Sequence, residues 1–302
     1  MRDKIKVSIV GGSGYVGGEL LRLLLFHPYV KILQVSSEQY AGKPVNRINP
    51  NLRRRTSLAF CSMAEVKNCD LIFLALPHGK AMVMIEHFMK LAPKIIDLSS
   101  DFRLKSPEDY KIWYEVNHPH PELLKEFVYG VAEIHREEMN DSNFIACAGC
   151  NSTATILPLY PLYLNNLVGD EGTVVEVKAG TSQGGHHFNI ATHHPERANS
   201  IRAYKPTGHR HIAEIRQELK LREDQNLHFT ATSVNLVRGI HVVSHVFLKD
   251  KLKEKDIWGV YRQTYSKEPF IRIVKEKLGI HRFPDPKILW GTNFCDIGFE
   301  ID

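Results

Sequence analysis

Residues 11–19 read G-G-S-G-Y-V-G-G-E, directly after a strand-like run at 4–10 and at the head of a helical pattern at 15–26. Gly12, Gly14 and Gly17 fit the spacing G-x-G-x-x-G. Between a strand and a helix, that spacing has a physical use. It gives a tight turn, lets backbone N–H groups approach a pyrophosphate, and aims a helix N-terminus at its charge. The bland alternative is a glycine-rich turn with no ligand, and the flanking elements weigh against it.

Working outward, the runs at 30–35, 70–76, 94–98 and 144–148 read as further buried strands, and 80–91 as a helix. Alternation of this kind predicts an α/β domain, a Rossmann-type doubly wound parallel sheet. Such sheets take ligands beyond the carboxyl ends of their strands, where Gly11–Gly12 and Pro77–His78–Gly79 stand. The second strand ends at Val35, Ser36 and Ser37. A carboxylate there would grip the ribose 2′-hydroxyl of NAD, whereas two hydroxyls can donate to a 2′-phosphate, which favours NADP. Glu38, one residue on, pulls the other way, and Lys43 and Arg47 read as ordinary solvated surface.

The texture changes after Gly149. A helix is expected over 151–167, kinked at Pro158, because proline removes a donor and clashes one turn back. A strand at 173–179 follows, then a long segment, 180–208, rich in Gly, His, Ser and Asn. Loops of that length in compact domains are functional or disordered. Beyond it we expect a helix at 211–221, an antiparallel pair of strands at 228–236 and 239–248, a helix at 256–265, and strands through 288–301. This places a dinucleotide-binding domain at 1–149 and a second, α+β domain at 150–302.

Composition bounds the function class. The 302 residues are 43% hydrophobic and 24% charged, ordinary for a globular chain. Lys plus Arg number 39 against 34 Asp plus Glu. That mild excess suits anionic small molecules or an acidic partner protein and falls short of a nucleic-acid footprint. No run approaches the ~20 apolar residues of a membrane span. The opening MRDKIKVSIV runs straight into a strand pattern, so no secretory leader is expected. Five cysteines (Cys61, Cys69, Cys147, Cys150 and Cys295) without framework spacing point to a reducing cytoplasm.

Cys150 stands in A-C-A-G-C-N-S-T-A-T (146–155), at the join of a strand and a helix. Asn151, Ser152 or Thr153 could cap that helix. Helix N-terminal amides favour a thiolate, and the same amides can stabilise an oxyanion after attack on a carbonyl. Cys147 and Cys150 also form C-x-x-C, a redox pair or half a zinc site in other settings. Cys147 falls inside the strand, however, where a buried structural thiol is the simpler reading. Six of the 16 histidines crowd the long segment: His186, His187, His193, His194, His209 and His211. A thiol nucleophile needs proton traffic nearby, and His209, just ahead of a helix, is the choice, with His211 in reserve. A zinc site shared by His209 and His211 is poor geometry on a strand or a helix, and no metal is expected. Arg197, Arg202, Lys205 and Arg210 fall in the same region, and Arg103 follows the strand at 94–98. These arginines are candidates for carboxylate or phosphate recognition, weighed against solvated surface.

Taken together, G-G-S-G-Y-V-G-G-E-L-L-R-L-L, L-P-H-G, D-L-S-S-D-F-R-L, A-G-C-N-S-T-A-T and Y-K-P-T-G-H-R-H-I-A-E-I occur in the order and rough spacing of a known family. The chain resembles the N-acetyl-gamma-glutamyl-phosphate reductases, relatives of aspartate-semialdehyde dehydrogenase. G-C-N at the cysteine, H-H-P-E-R-A-N-S-I-R, and F-P-D-P followed by G-T-N-F-C-D-I-G-F-E make it most similar to the carrier-dependent branch of lysine and arginine biosynthesis.

The resemblance implies a second domain like the C-terminal domain of glyceraldehyde-phosphate dehydrogenase, in a homodimer or homotetramer. It makes 1–149 the NADP-binding domain and 150–302 the domain of catalysis, substrate and oligomerisation. It implies Cys150 as nucleophile, His209 as acid–base, and NADPH at Gly11, Gly12, Ser13, Gly14, Val35, Ser36 and Ser37. The basic cluster would face a small acidic amino-group carrier of the LysW type, which bears an aminoadipyl or glutamyl phosphate. Members of the family are expected to continue beyond the position of Asp302 with a strand and a helix returning to the nucleotide domain. The expected activity is NADPH-dependent reduction of the carrier-linked acyl phosphate to a semialdehyde, with release of phosphate, through a Cys150 thioester. The same chemistry on free N-acetylglutamyl phosphate is the enzyme alternative. A nucleotide-binding protein with impaired catalysis is the alternative of another class.

Overall fold

The computed structural model describes residues 3–186 and 188–302. The chain divides into two compact units, Met1–Ala148 and Gly149–Asp302. In the first, β1 (Ile5–Val10), α1 (Tyr15–Leu24), β2 (Val30–Ser36), α2 (Val45–Ile48) and β3 (Phe60–Cys61) are followed by β4 (Leu71–Leu74), α3 (Ala81–Leu91) and β5 (Lys94–Asp97). Then come α4 (Pro107–Tyr114), β6 (Phe127–Gly130), α5 (Ala132–Asp141) and β7 (Phe144–Cys147). The strands form one seven-stranded sheet in the order β3-β2-β1-β4-β5-β7-β6, and every pairing is parallel.

Central parallel strands covered on both faces must be apolar throughout, and the last four residues of β1, Val7–Val10, are all buried. Val7, Ile9, Leu21, Val35, Val45, Leu52 and Phe60 form one core cluster under α1. Strand order reverses between β1 and β4, because β2 lies on one side of β1 and β4 on the other. The glycine loop leaves β1 at that crevice.

In the second unit, α6 (Cys150–Leu164) and β8 (Val168–Ala179) lead into the long segment, which carries α7 (His194–Arg197) and β9 (Arg202–Lys205). There follow α8 (His211–Glu218), β10 (Leu227–Ser233), β11 (Ile240–Leu248), α9 (Glu254–Tyr265), β12 (Ile271–Ile273) and β13 (Cys295–Ile297). The main sheet runs β11-β8-β10-β9.

This corrects the expected antiparallel pair at 228–248. β10 and β11 do not pair with each other. The long strand β8 lies between them, parallel to β10 and antiparallel to β11. The connection arches over the end of β8, where Val234 N donates to Ala179 O at 3.0 Å and Gly180 N to Gly239 O at 2.9 Å. Strand structure expected across 288–301 is confined to β13, since Pro286–Leu289 is a 3-10 turn.

The helix α6 continues through both Pro158 and Pro161. Proline at 161 deprives the Leu157 carbonyl of its usual donor one turn on. A hydroxyl from α9 takes that place: Tyr265 Oη donates to Leu157 O at 2.7 Å, and Tyr261 Oη donates to Pro158 O at 2.6 Å. Both tyrosines are 3% exposed, so the two bonds are shielded from water. Tyr265→Phe leaves a buried carbonyl unfilled, and we expect a loss of ~1–2 kcal/mol. Urea unfolding checks this: the midpoint falls with the slope unchanged, whereas an unmoved midpoint would assign the hydroxyl no role.

Candidate active site

The glycine loop of the first unit is shaped by close approaches. Gly11 has φ +85, and a Cβ there would meet the Ala75 carbonyl oxygen at 2.3 Å. A Cβ on Gly12 would meet Val35 Cγ1 at 2.1 Å, and one on Gly17 would meet Gly12 Cα at 2.5 Å. Gly14 faces open space, with nothing within 4 Å of the same position. It caps α1 without any side-chain bond, so the first amides of the helix look into that space. The loop is tied to the end of β2: Gly12 N donates to Ser36 O at 2.9 Å, and Ser13 Oγ lies 2.8 Å from Ser37 Oγ.

Ser36 Oγ is buried and, among the described residues, has no hydrogen-bond partner. An uncapped helix start, open space over Gly14 and an unfilled hydroxyl suit a phosphorylated dinucleotide. Val35, fully buried, serves as the wall behind Gly12. Glu38, which argued for NAD, is occupied elsewhere, because its Oε1 accepts from Met63 N at 2.6 Å.

Farther along the same sheet, D-L-S-S-D-F-R (97–103) is folded around its own carboxylates. Asp97, fully buried, accepts from Ser99 N at 3.0 Å and from Ser99 Oγ at 2.7 Å, while burial pushes its carboxyl up to about 7. Asp101 caps α3 from a distance, taking Gly79 N at 2.8 Å and Met82 N at 3.0 Å. Arg103 is 6% exposed, and its Nε donates to Cys147 O at 2.7 Å. It clamps strand ends and does not project as a solvent-facing anion receptor. Burial also pushes the Cys147 thiol up to about 12, which suits a structural cysteine.

In the second unit, exposed Cys150 is the first residue of α6, after Gly149 as N-cap. The start of this helix is held from α8. Glu214, 0% exposed, accepts Gly149 N–H at 2.8 Å and Ser152 Oγ at 3.0 Å through Oε2, while its Oε1 is 3.7 Å from His211 Nε2. Ser152 Oγ also lies 2.7 Å from Gly149 O, and Thr153 Oγ1 donates to the same carbonyl at 2.9 Å. A Cβ on Gly149 would sit 2.6 Å from His211 Nε2 and 2.8 Å from Glu214 Oε1. The position therefore suits glycine alone.

Around the sulfur, Cys150 Sγ lies 3.8 Å from Asn151 Oδ1. Asn151 Nδ2 donates to Tyr204 Oη at 3.2 Å, which in turn donates to Gln183 Oε1 at 3.2 Å. His209 is 9% exposed, with its ring 4.6 Å from that of His211 and 5.3 Å from Phe229. The two histidine rings meet because His209 lies in the loop before α8, not on a regular strand or helix. His209 Nδ1 accepts the backbone N–H of His211 at 3.1 Å, which places the proton of the neutral ring on Nε2. Burial, with the neighbouring Arg210 cation, holds His209 down to about 4.

The basic residues separate. Arg197 is 8% exposed and holds Ser200 Oγ at 3.1 Å and Val234 O at 2.9 Å, so it knits the long segment to the sheet. Arg202 is exposed on β9 and donates to Glu196 O at 2.9 Å. His186, His193 and His194 are exposed, and His187 lies outside the described residues. Among the described residues, no three His, Cys, Asp or Glu side chains are grouped to hold a metal ion, and no helix is long and apolar enough to cross a membrane.

Sequence reasoning missed Glu214, Tyr204 and Gln183 and offered Asn151 only as a helix cap, whereas its side chain lies beside Cys150 Sγ. For Glu214 a signal exists in T-G-H-R-H-I-A-E: at i and i+3 on one helix, His211 and Glu214 share a face.

Family models agree with the two units. One described as semialdehyde dehydrogenase, NAD binding domain, matches residues 6–142, and one described as semialdehyde dehydrogenase, dimerisation domain, matches 150–302. A putative LysW-L-2-aminoadipate 6-phosphate reductase of Thermomicrobium roseum is 51% identical over 300 residues, covering 99% of this chain and 85% of the relative. The LysW-L-2-aminoadipate 6-phosphate reductase of Deinococcus radiodurans is 49% identical, covering 99% and 86%. The LysW-L-2-aminoadipate/LysW-L-glutamate phosphate reductase of Saccharolobus solfataricus is 45% identical, covering 100% and 87%. Among solved structures, aspartate semialdehyde dehydrogenase II from Vibrio cholerae shares the fold, with TM-score 0.72 at 17% identity over 98% of this chain and 88% of that one.

Two glycine substitutions test the two candidate sites separately. Gly12→Ala, driven into Val35, is expected to weaken dinucleotide binding at least about tenfold by fluorescence titration, a loss of ~1.4 kcal/mol. Gly149→Ala is expected to slow alkylation of Cys150 and leave dinucleotide affinity unchanged. The opposite pattern would show that the two sites are wrongly assigned.

Proposed function

The chain belongs to the semialdehyde dehydrogenase family, in the branch of the LysW-linked phosphate reductases, and from that membership we propose that it reduces an acyl phosphate to an aldehyde through a thioester on Cys150. The substrate is an aminoadipyl or glutamyl phosphate whose amino group is attached to a LysW-type carrier, and phosphate is the leaving group. The observation that carries this reading is an exposed thiol at the first position of α6, whose N-cap amide is pinned by the buried Glu214.

The chain's own groups divide the work. The Cys150 thiolate attacks the acyl carbon; a C–S bond forms and the C–O bond to phosphate breaks. Amides at the start of α6 stabilise the negative oxygen of each tetrahedral species. NADPH, held by residues 11–14 and 35–37, supplies the hydride when bound. The resulting alkoxide reforms its carbonyl and expels the thiolate, so the reductive step needs no net proton. This changes what is asked of His209. A neutral ring with Nδ1 occupied and its proton on Nε2 donates a hydrogen bond to an oxyanion and makes a poor base. Arg202 and its basic neighbours face the anionic substrate, while Arg103 and Arg197 act by positioning backbone.

Cys150→Ser should keep NADPH affinity and lose turnover by several orders of magnitude, and mass spectrometry of quenched wild type should catch the acyl group on Cys150. A serine variant with near-normal rate would end the covalent reading. Assays with carrier-linked aminoadipyl, carrier-linked glutamyl and free N-acetylglutamyl phosphates decide the substrate; a preference for the free compound would transfer the chain to the carrier-independent reaction.

The pH dependence follows from His209. Burial disfavours its charged form, so the neutral ring, with Nδ1 accepting from His211, persists as pH falls through 6.5 and is protonated only near pH 4. An acid limb at pH 6.5 that disappears in His209→Gln would contradict this.

A further inference from the structure

β9 is the outermost strand of its sheet. One edge pairs antiparallel with β10, matching Ala203 with Thr232 and Arg202 with Ser233. Among the described residues no backbone group bonds to its other edge, and all four of its residues are exposed. An open strand edge is a template for another extended chain. Lysine and arginine on such an edge ordinarily serve to discourage aggregation. Here two features go beyond that. First, from 186 to 210 Glu196 is the only carboxylate, while two of the four residues of β9 itself, Arg202 and Lys205, are exposed cations. Second, Tyr204 of β9 is joined through its hydroxyl to Asn151, the neighbour of Cys150, at 3.2 Å. The open edge is therefore basic and runs past the reactive thiol.

We propose that the outer edge of β9 receives an extended acidic segment of the carrier protein as an added strand, which lays the tethered acyl group toward Cys150. This deepens the functional reading above and rests on it. Backbone pairing would grip the segment regardless of its side chains, at ~3.3 Å per residue, while Arg202 and Lys205 match its charge. Recognition then lies in the carrier's backbone and charge, with the acyl chain itself carrying a small share.

The test is amide hydrogen exchange of the full-length enzyme with NADP and an unloaded LysW-type carrier, alongside turnover of carrier-linked aminoadipyl phosphate. At saturating carrier, exchange at 202–205 should slow about tenfold or more. Because a strand engages its neighbour through every second residue, the slowing should alternate along β9. Turnover with unchanged exchange at β9 would overturn the added strand and leave the functional reading intact. Slowing that tracks enzyme concentration without carrier would assign the edge to a second copy of this chain and also overturn it. Neither turnover nor carrier binding would sink the functional reading as well.

Discussion

A buried carboxylate fixes the helix start that carries Cys150. Glu214 lies at 0% exposure, and burying a carboxylate is costly unless its oxygens are filled. Here they are filled by groups at the very start of α6, the Gly149 amide and the Ser152 hydroxyl, with His211 alongside. Satisfying Glu214 and positioning Cys150 are therefore one event. The helix cannot drift without stranding a charge, and α8 cannot shift without releasing the cap.

The first unit uses the same device in another form. Asp97 and Asp101 sit in the loop after β5 and gather donors from their own turn and from the head of α3. Arg103 ties that loop to the last residue of β7. Loops at the carboxyl ends of β4, β5 and β7 are thereby fixed by buried charges, leaving the glycine loop as the part shaped mainly by the absence of side chains.

Much of this was legible in the sequence, unevenly and for physical reasons. Strands β1, β2, β4, β5 and β7 announce themselves as short runs dominated by apolar residues, because central parallel strands are covered on both faces, and α1 and α3 because one face is apolar. β3 is two residues long, and α5 has no fully buried side chain, so neither leaves a strong periodic trace. The pairing of β10 and β11 misleads because proximity in sequence favours a hairpin, and only the long β8 between them decides otherwise. At the site, Cys150 and the glycine loop are local patterns. Glu214 lies 65 residues from the amide it holds, and Tyr204 lies 53 from Asn151. No spacing rule reaches that far. Arg103 and Arg197 were marked for their charge, yet both are spent on backbone carbonyls.

The prolines of α6 carry a consequence for how the molecule is made. Tyr265 is 108 residues downstream of the carbonyl it completes, and Tyr261 is 103 downstream of its own. During synthesis the second half of α6 therefore leaves the ribosome long before its partners do. It must wait, with an interrupted ladder and an apolar flank, until α9 emerges. Completion of α6 is thus a late event, timed by translation of α9.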